Sequence, residues 1–135
     1  MTTWLNLAAI GLGGAIGSVI RYLATVAAAA IPGGSTFLGT TLVNILGCAA
    51  LGALAEYLRI AETGMIESAI STRATLGIRY GFLGALTTFS TFAGESFVLA
   101  GSGRWGVAAI YVAANFCIGL FALAATAMLV KQWMT

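Results

Sequence analysis

Gly81 to Glu95 read GFLGALTTFSTFAGE. Four hydroxyls (Thr87, Thr88, Ser90, Thr91), the phenylalanines Phe89 and Phe92 among them, and a carboxylate (Glu95) sit inside a run otherwise apolar enough to cross a bilayer. A hydroxyl without a partner in an apolar medium costs about 2–7 kcal/mol, and a carboxylate costs more. Polar groups at this depth therefore face protein, water or a passing ion.

The rest of the chain fixes the solvent. With 60% hydrophobic and 7% charged residues and no histidine, and a mean hydropathy of +1.01, the 135 residues describe an integral membrane protein; soluble domains carry about 25% charged residues. The apolar runs are long and unbroken rather than alternating, so helices, not a barrel, satisfy the backbone. The length accommodates four spans of about 20 residues each, read as a single domain over residues 1–135. A net charge of +2 spread over six basic residues is no nucleic-acid footprint, which needs a clustered basic face. Cys48 and Cys117 lie alone in separate apolar runs and read as packing residues.

Working outward, a third span from about Thr75 to Ala100 contains the opening stretch and ends at Gly101, Ser102 and Gly103. The first span runs from about Trp4 to Ala30 and stops at the turn cluster Ile31 to Ser35. Its flank carries no basic residues and its apolar stretch is long, so it reads as a span rather than a cleaved leader. The second runs from about Phe37 to Leu58. The polar stretch Arg59 to Arg73 is expected to form a short interfacial helix with Ile60, Ile66 and Ile70 toward lipid. The fourth runs from about Trp105 to Val130, with Lys131 and Trp133 at its interfacial end.

Arg59, Arg73, Arg79 and Lys131 fall on one side of the membrane, against Arg104 and Arg21 toward the other. That weak bias specifies orientation poorly. Eighteen glycines far exceed the usual ~7%. Gly13 with Gly17, and Gly77 with Gly81, are GxxxG pairs that let helices approach closely. They predict a compact, self-associating bundle.

Thr88, Thr91 and Glu95 share one helical face at i, i+3 and i+7, with Phe89, Phe92 and Ser96 on a neighbouring one. The hydroxyl cluster beside Gly84 is compatible with a helix that unwinds at mid-membrane and exposes backbone groups to ions. It is equally compatible with a continuous helix whose hydroxyls bond back to i−4 carbonyls. Asn44 and Asn115, each mid-span, serve as interhelical glue or as pore donors. Arg21 either snorkels to the interface or draws anions into a vestibule.

GFLGALTTFSTF with Glu95 three residues on, GSVIRY in the first span and the asparagine of TTLVNILG together resemble the Fluc, or CrcB-type, fluoride channel family. The likeness extends over the whole chain. It implies an all-α membrane protein with four transmembrane helices per subunit, the third broken mid-membrane, assembled as an antiparallel, dual-topology homodimer. It further implies a fluoride-selective channel, not an enzyme, multi-pass in the cell inner membrane, with two pores and a central structural sodium ion. By the resemblance, Phe89, Phe92 and Asn44 line the fluoride pore and Arg21 its vestibule, while the carbonyls of Gly84 and Thr87 hold sodium. The family's polar line on the fourth helix begins at Tyr111 and continues to Asn115, Gly119 and Leu123, where only the first of the three keeps a polar side chain.

Those roles are chemically coherent. Fluoride is small and strongly hydrated, so a pore replaces its water with donors: the amides of Asn44 and Asn115 and the hydroxyls of Ser90, Thr91 and Tyr111. Phenylalanine adds the positive edge of its ring quadrupole without a fixed charge that would hold the ion. A proton-coupled small multidrug or guanidinium exporter is the alternative. Such proteins resemble one another in a glutamate on the first helix, where this chain has Arg21.

Overall fold

The computed structural model describes residues 2–135. Four of its helical segments, Thr3–Ala30, Thr36–Glu62, Thr72–Gly101 and Trp105–Met134, are long and apolar enough to cross a membrane, and no strand occurs among the described residues. The protein is thus an all-helical, multi-pass membrane protein. Spans of 27 to 30 residues exceed the ~20 that a bilayer core requires, so they tilt or reach into the headgroups.

The elements are α1 (Thr2–Ala30), α2 (Thr36–Glu62), α3 (Thr72–Leu76), a π-helical stretch Gly77–Leu83, α4 (Gly84–Leu86), α5 (Phe89–Gly101), α6 (Trp105–Ala113), a second π-helical stretch Ala114–Ile118, and α7 (Gly119–Met134). Each of the three connections between spans turns on a glycine with positive φ: Gly33, Gly64 and Gly103. Residues with a Cβ rarely adopt that conformation. Ser35 caps α2 by accepting from the Leu38 N–H at 3.3 Å, and Ser71 caps α3 from Ala74 N–H at 3.2 Å.

No interfacial helix forms over Arg59 to Arg73. Instead α2 continues to Glu62 and residues 63–71 are irregular, tied down where the Ala69 N–H donates to the Tyr57 hydroxyl at 2.7 Å. Ile60, expected to face lipid, is buried in the last turn of α2. The propensity of a few apolar residues yields here to continuation of an established helix, which adds a bond per residue without a new nucleus.

The glycine pairs do let helix backbones approach closely. A Cβ on Gly13 would lie 2.2 Å from the Gly77 carbonyl oxygen, one on Gly17 2.3 Å from that of Phe82, and one on Gly81 2.5 Å from that of Ile10. Both pairs are therefore occupied within one chain, pressing α1 onto the Gly77–Leu83 stretch. On the other side α2 packs along α7, where Gly52 abuts the Leu123 backbone and Thr126 donates to the Ala49 carbonyl at 2.7 Å.

Two small clusters form the interior: Val43, Leu83 and Leu86 at the centre, and Phe92, Leu99, Ala108 and Tyr111 beside α5 and α6. Large apolar side chains such as Phe97, Ile110 and Phe121 point outward, as lipid-facing surface does. Trp4, Trp105 and Trp133 are exposed near span ends, where indole favours the membrane interface.

Candidate functional site

Leu86 ends α4, and the two residues after it leave the helix. Thr87 (φ −79°, ψ 153°) and Thr88 (φ −151°, ψ 115°) are extended, and α5 starts at Phe89. The four hydroxyls divide accordingly. Thr87 Oγ1 bonds back to the Leu83 carbonyl at 2.9 Å, four residues earlier. Thr88 caps α5, its Oγ1 accepting from the Thr91 N–H at 3.2 Å while its own hydroxyl donates to Thr91 Oγ1 at 3.1 Å. Ser90 Oγ lies 3.3 Å from the same Thr88 oxygen.

Backbone groups released here find partners elsewhere, which accounts for Asn44 and Arg21. The Thr88 N–H, which a continuous helix would aim at the Gly84 carbonyl, donates instead to Asn44 Oδ1 at 2.8 Å. The Ala85 carbonyl accepts from Arg21 Nε at 2.9 Å. Arg21 thus anchors to the end of α4 from the first span, a favourable place for a cation because carbonyl dipoles converge there. Gly84 carries right-handed helical torsions (φ −64°, ψ −31°), open to any residue.

Asn44 also donates from Nδ2 to Asn115 Oδ1 at 2.9 Å, and Asn115 Nδ2 donates to Thr41 Oγ1 at 3.1 Å and to the Tyr111 carbonyl at 3.0 Å. Asn115 sits in the π-helical stretch Ala114–Ile118; such bulges frequently mark functional positions. A cavity of about 480 Å³ opens beside this network, lined by Asn44, Cys48, Gly84, Thr87, Thr88, Phe89, Phe92, Asn115 and Phe116 among others.

Aromatic rings form one wall. Phe89 and Phe92 have centroids 5.7 Å apart and tilted rings, and Phe92 continues to Tyr111 at 5.5 Å and edge-on to Phe116 at 5.9 Å. The two motif phenylalanines differ: Phe92 is 6% exposed and Phe89 71%. The Tyr111 hydroxyl donates to Glu95 Oε2 at 2.5 Å.

Of the residues singled out in the sequence, Asn44, Gly84, Thr87, Phe89, Phe92 and Asn115 meet around one cavity. Ser90 and Thr91 adjoin it through Thr88, and Tyr111 stands behind Phe92. Gly119 is buried where a Cβ would touch Cys48 Sγ at 3.5 Å, and the Leu123 carbonyl abuts Gly52. These two positions serve helix packing. Thr41 and Phe116 were missed; position i−3 from Asn44 on one helix face is the signal that points to Thr41.

The family described as CrcB-like protein, Camphor Resistance (CrcB), matches residues 8–127. The chain belongs to the CrcB-like family. Among its relatives, a fluoride-specific ion channel FluC of Rhodopirellula baltica is 40% identical across 98% of this chain and 99% of its own length. Those of Shewanella woodyi and Shewanella oneidensis are 37% and 40% identical, each across 86% of this chain and 88% of their own. Relatives bearing that name are ion channels and not enzymes, and this CrcB-like protein is likewise no enzyme. The cavity, the two amides and the ring pair form its candidate functional site.

Proposed function

We propose that this CrcB-like protein is a fluoride-selective ion channel that exports fluoride across the cell inner membrane, and that the Asn44 cavity is part of its pathway. One observation carries the reading: an amide donor, an interrupted backbone and a pair of tilted phenylalanines converge on one cavity. That set suits a small, hard anion. Amide and hydroxyl donors replace its hydration, and ring edges add positive potential without a full charge at the ring pair itself. The relatives named as fluoride channels support the same conclusion.

In the same reading the interruption at Thr87 and Thr88 lies at mid-membrane, and two chains assemble antiparallel with two pores and a sodium ion between them. The donor set fits that ion. With the Thr88 N–H on Asn44 and the Thr91 N–H on Thr88 Oγ1, the Gly84 and Thr87 carbonyls have given up their helical donors. Gly84 is exposed on the protomer, where its carbonyl and that of Thr87 would meet those of a second copy. Bound sodium would supply a fixed positive centre that oxygen ligands share across the two-fold axis.

The test is efflux from liposomes, fluoride against chloride, for the wild type, Phe89→Ile and Phe92→Ile. Fluoride release far faster than chloride, depressed at least tenfold by either isoleucine, is expected, because isoleucine keeps apolar bulk and lacks the ring edge. Equal release of both anions by the wild type would refute the channel reading.

A further inference from the structure

We infer that Thr41 and Asn115 are positioning residues that set which edge of the Asn44 amide faces the ion, so that Asn44 alone of the two asparagines donates to it. The inference rests on the proposed fluoride pathway and goes beyond it in assigning every hydrogen of the amide pair.

An amide can be turned end for end, but this network is pinned by groups whose polarity is fixed. At one end the Thr88 N–H can only donate, and it reaches Asn44 Oδ1 at 2.8 Å. The Asn44 oxygen therefore faces the backbone and its Nδ2 faces Asn115, where it meets Oδ1 at 2.9 Å. At the other end the Tyr111 carbonyl can only accept, and it takes one hydrogen of Asn115 Nδ2 at 3.0 Å. The second goes to Thr41 Oγ1 at 3.1 Å, and that hydroxyl has its own hydrogen on the Phe37 carbonyl at 2.9 Å, leaving lone pairs to accept. The direction of the chain is the same from both ends.

Counting hydrogens gives the consequence. An amide nitrogen carries two. Both of those on Asn115 are committed to protein acceptors. One of those on Asn44 is committed to Asn115, while the other has only the Thr88 carbonyl at 3.4 Å, outside the usual 2.7–3.2 Å. That hydrogen belongs to a residue lining the cavity and is available to an anion. Thr41 does not line the cavity and acts from behind. On the fourth span, Gly119 and Leu123 add no polar side chain past Asn115, so fixing the single Asn44 donor matters more here.

Thr41→Val separates this role from direct donation. Without the hydroxyl, one Asn115 hydrogen loses its acceptor, and Asn115, held then only through the Tyr111 carbonyl, no longer fixes its Oδ1 against the Asn44 amide. Positioning predicts fluoride efflux at least tenfold slower, with a smaller fluoride-to-chloride ratio and unchanged elution of the folded protein. Thr41→Ser should restore both within about twofold, as should the control Leu42→Ala on the outward face. If Asn115 itself served the ion, Thr41→Val would release a donor and leave flux equal or higher.

A second measurement needs no variant. The chain has three asparagines, Asn6, Asn44 and Asn115, so ¹⁵N-asparagine labelling gives three side-chain amide pairs. Added fluoride should shift one Asn44 proton and neither Asn115 proton, and both Asn115 protons should exchange slowly. A fluoride shift on Asn115, or wild-type rate and selectivity in folded Thr41→Val, would overturn the inference while leaving the channel reading in place. Wild-type vesicles without fluoride selectivity would overturn that reading first.

Discussion

Gly47→Ala tests how α2 holds the extended residues after α4. A Cβ at Gly47 would lie 2.2 Å from Thr87 Cγ2, with Thr87 Cβ next at 3.7 Å. Carbon atoms pack at about 3.5–4.0 Å, so more than ~1 Å of relief is needed. Thr87 can rotate, which breaks its hydroxyl's bond to the Leu83 carbonyl at a net cost of about 1 kcal/mol. Otherwise α2 shifts, at about 1–3 kcal/mol for an overpacked site. The expected loss is thus about 1–3 kcal/mol, roughly a 5- to 150-fold change in the folded ratio. Thr87→Ser deletes Cγ2 and keeps the hydroxyl. In that background the nearest Thr87 atom left is at an ordinary contact distance, and Gly47→Ala should cost less than ~0.5 kcal/mol, a coupling typical of residues in contact. Equilibrium unfolding in detergent of the wild type, both single variants and the double variant measures it. An equal cost in both backgrounds would show that the notch at Gly47 does not seat Thr87.

Gly17→Ala sets a Cβ 2.3 Å from the Phe82 carbonyl oxygen and 3.1 Å from Leu86 N, backbone atoms that cannot rotate away, and should destabilise by about 1–3 kcal/mol. Gly11→Ala meets nothing within 4 Å and should gain up to ~1 kcal/mol from helix propensity; similar unfolding curves for the two would refute the α1 packing account. Within the protomer a Cβ on Gly84 touches only the Arg79 carbonyl oxygen, at 3.6 Å. Loss of sodium-dependent stability in Gly84→Val but not in Thr87→Val is therefore expected only if a second copy crowds the site. Tolerance at both positions with no sodium effect would remove the proposed ion. In a Cys48→Ala, Cys117→Ala background, Thr135→Cys should be labelled by an impermeant reagent from both faces of sealed vesicles if the chains insert in both orientations, and labelling from one face alone would exclude dual topology.

The membrane, the four helices and the third span's importance are fixed by the chain's composition, because apolar length and the cost of unpaired polar groups in lipid depend only on which residues occur and how far apart. The turns at Gly33 and Gly103 follow from local chemistry for the same reason, whereas the turn at Gly64 falls in a stretch whose sequence reads as helix. The family resemblance likewise lies in a contiguous motif around Phe89 and Phe92. What pairs with what was decided by tertiary structure. The glycine pairs of α1 and the Gly77–Leu83 stretch fit a contact within the chain or between chains equally well, and only the approach of Gly13 to the Gly77 carbonyl selects the former. Asn44 lies 44 residues from Thr88 and 71 from Asn115, separations at which no periodicity relates one amide to another. The direction of that amide follows from which backbone groups the fold leaves without helical partners, and those exist only once Thr87 and Thr88 have become extended.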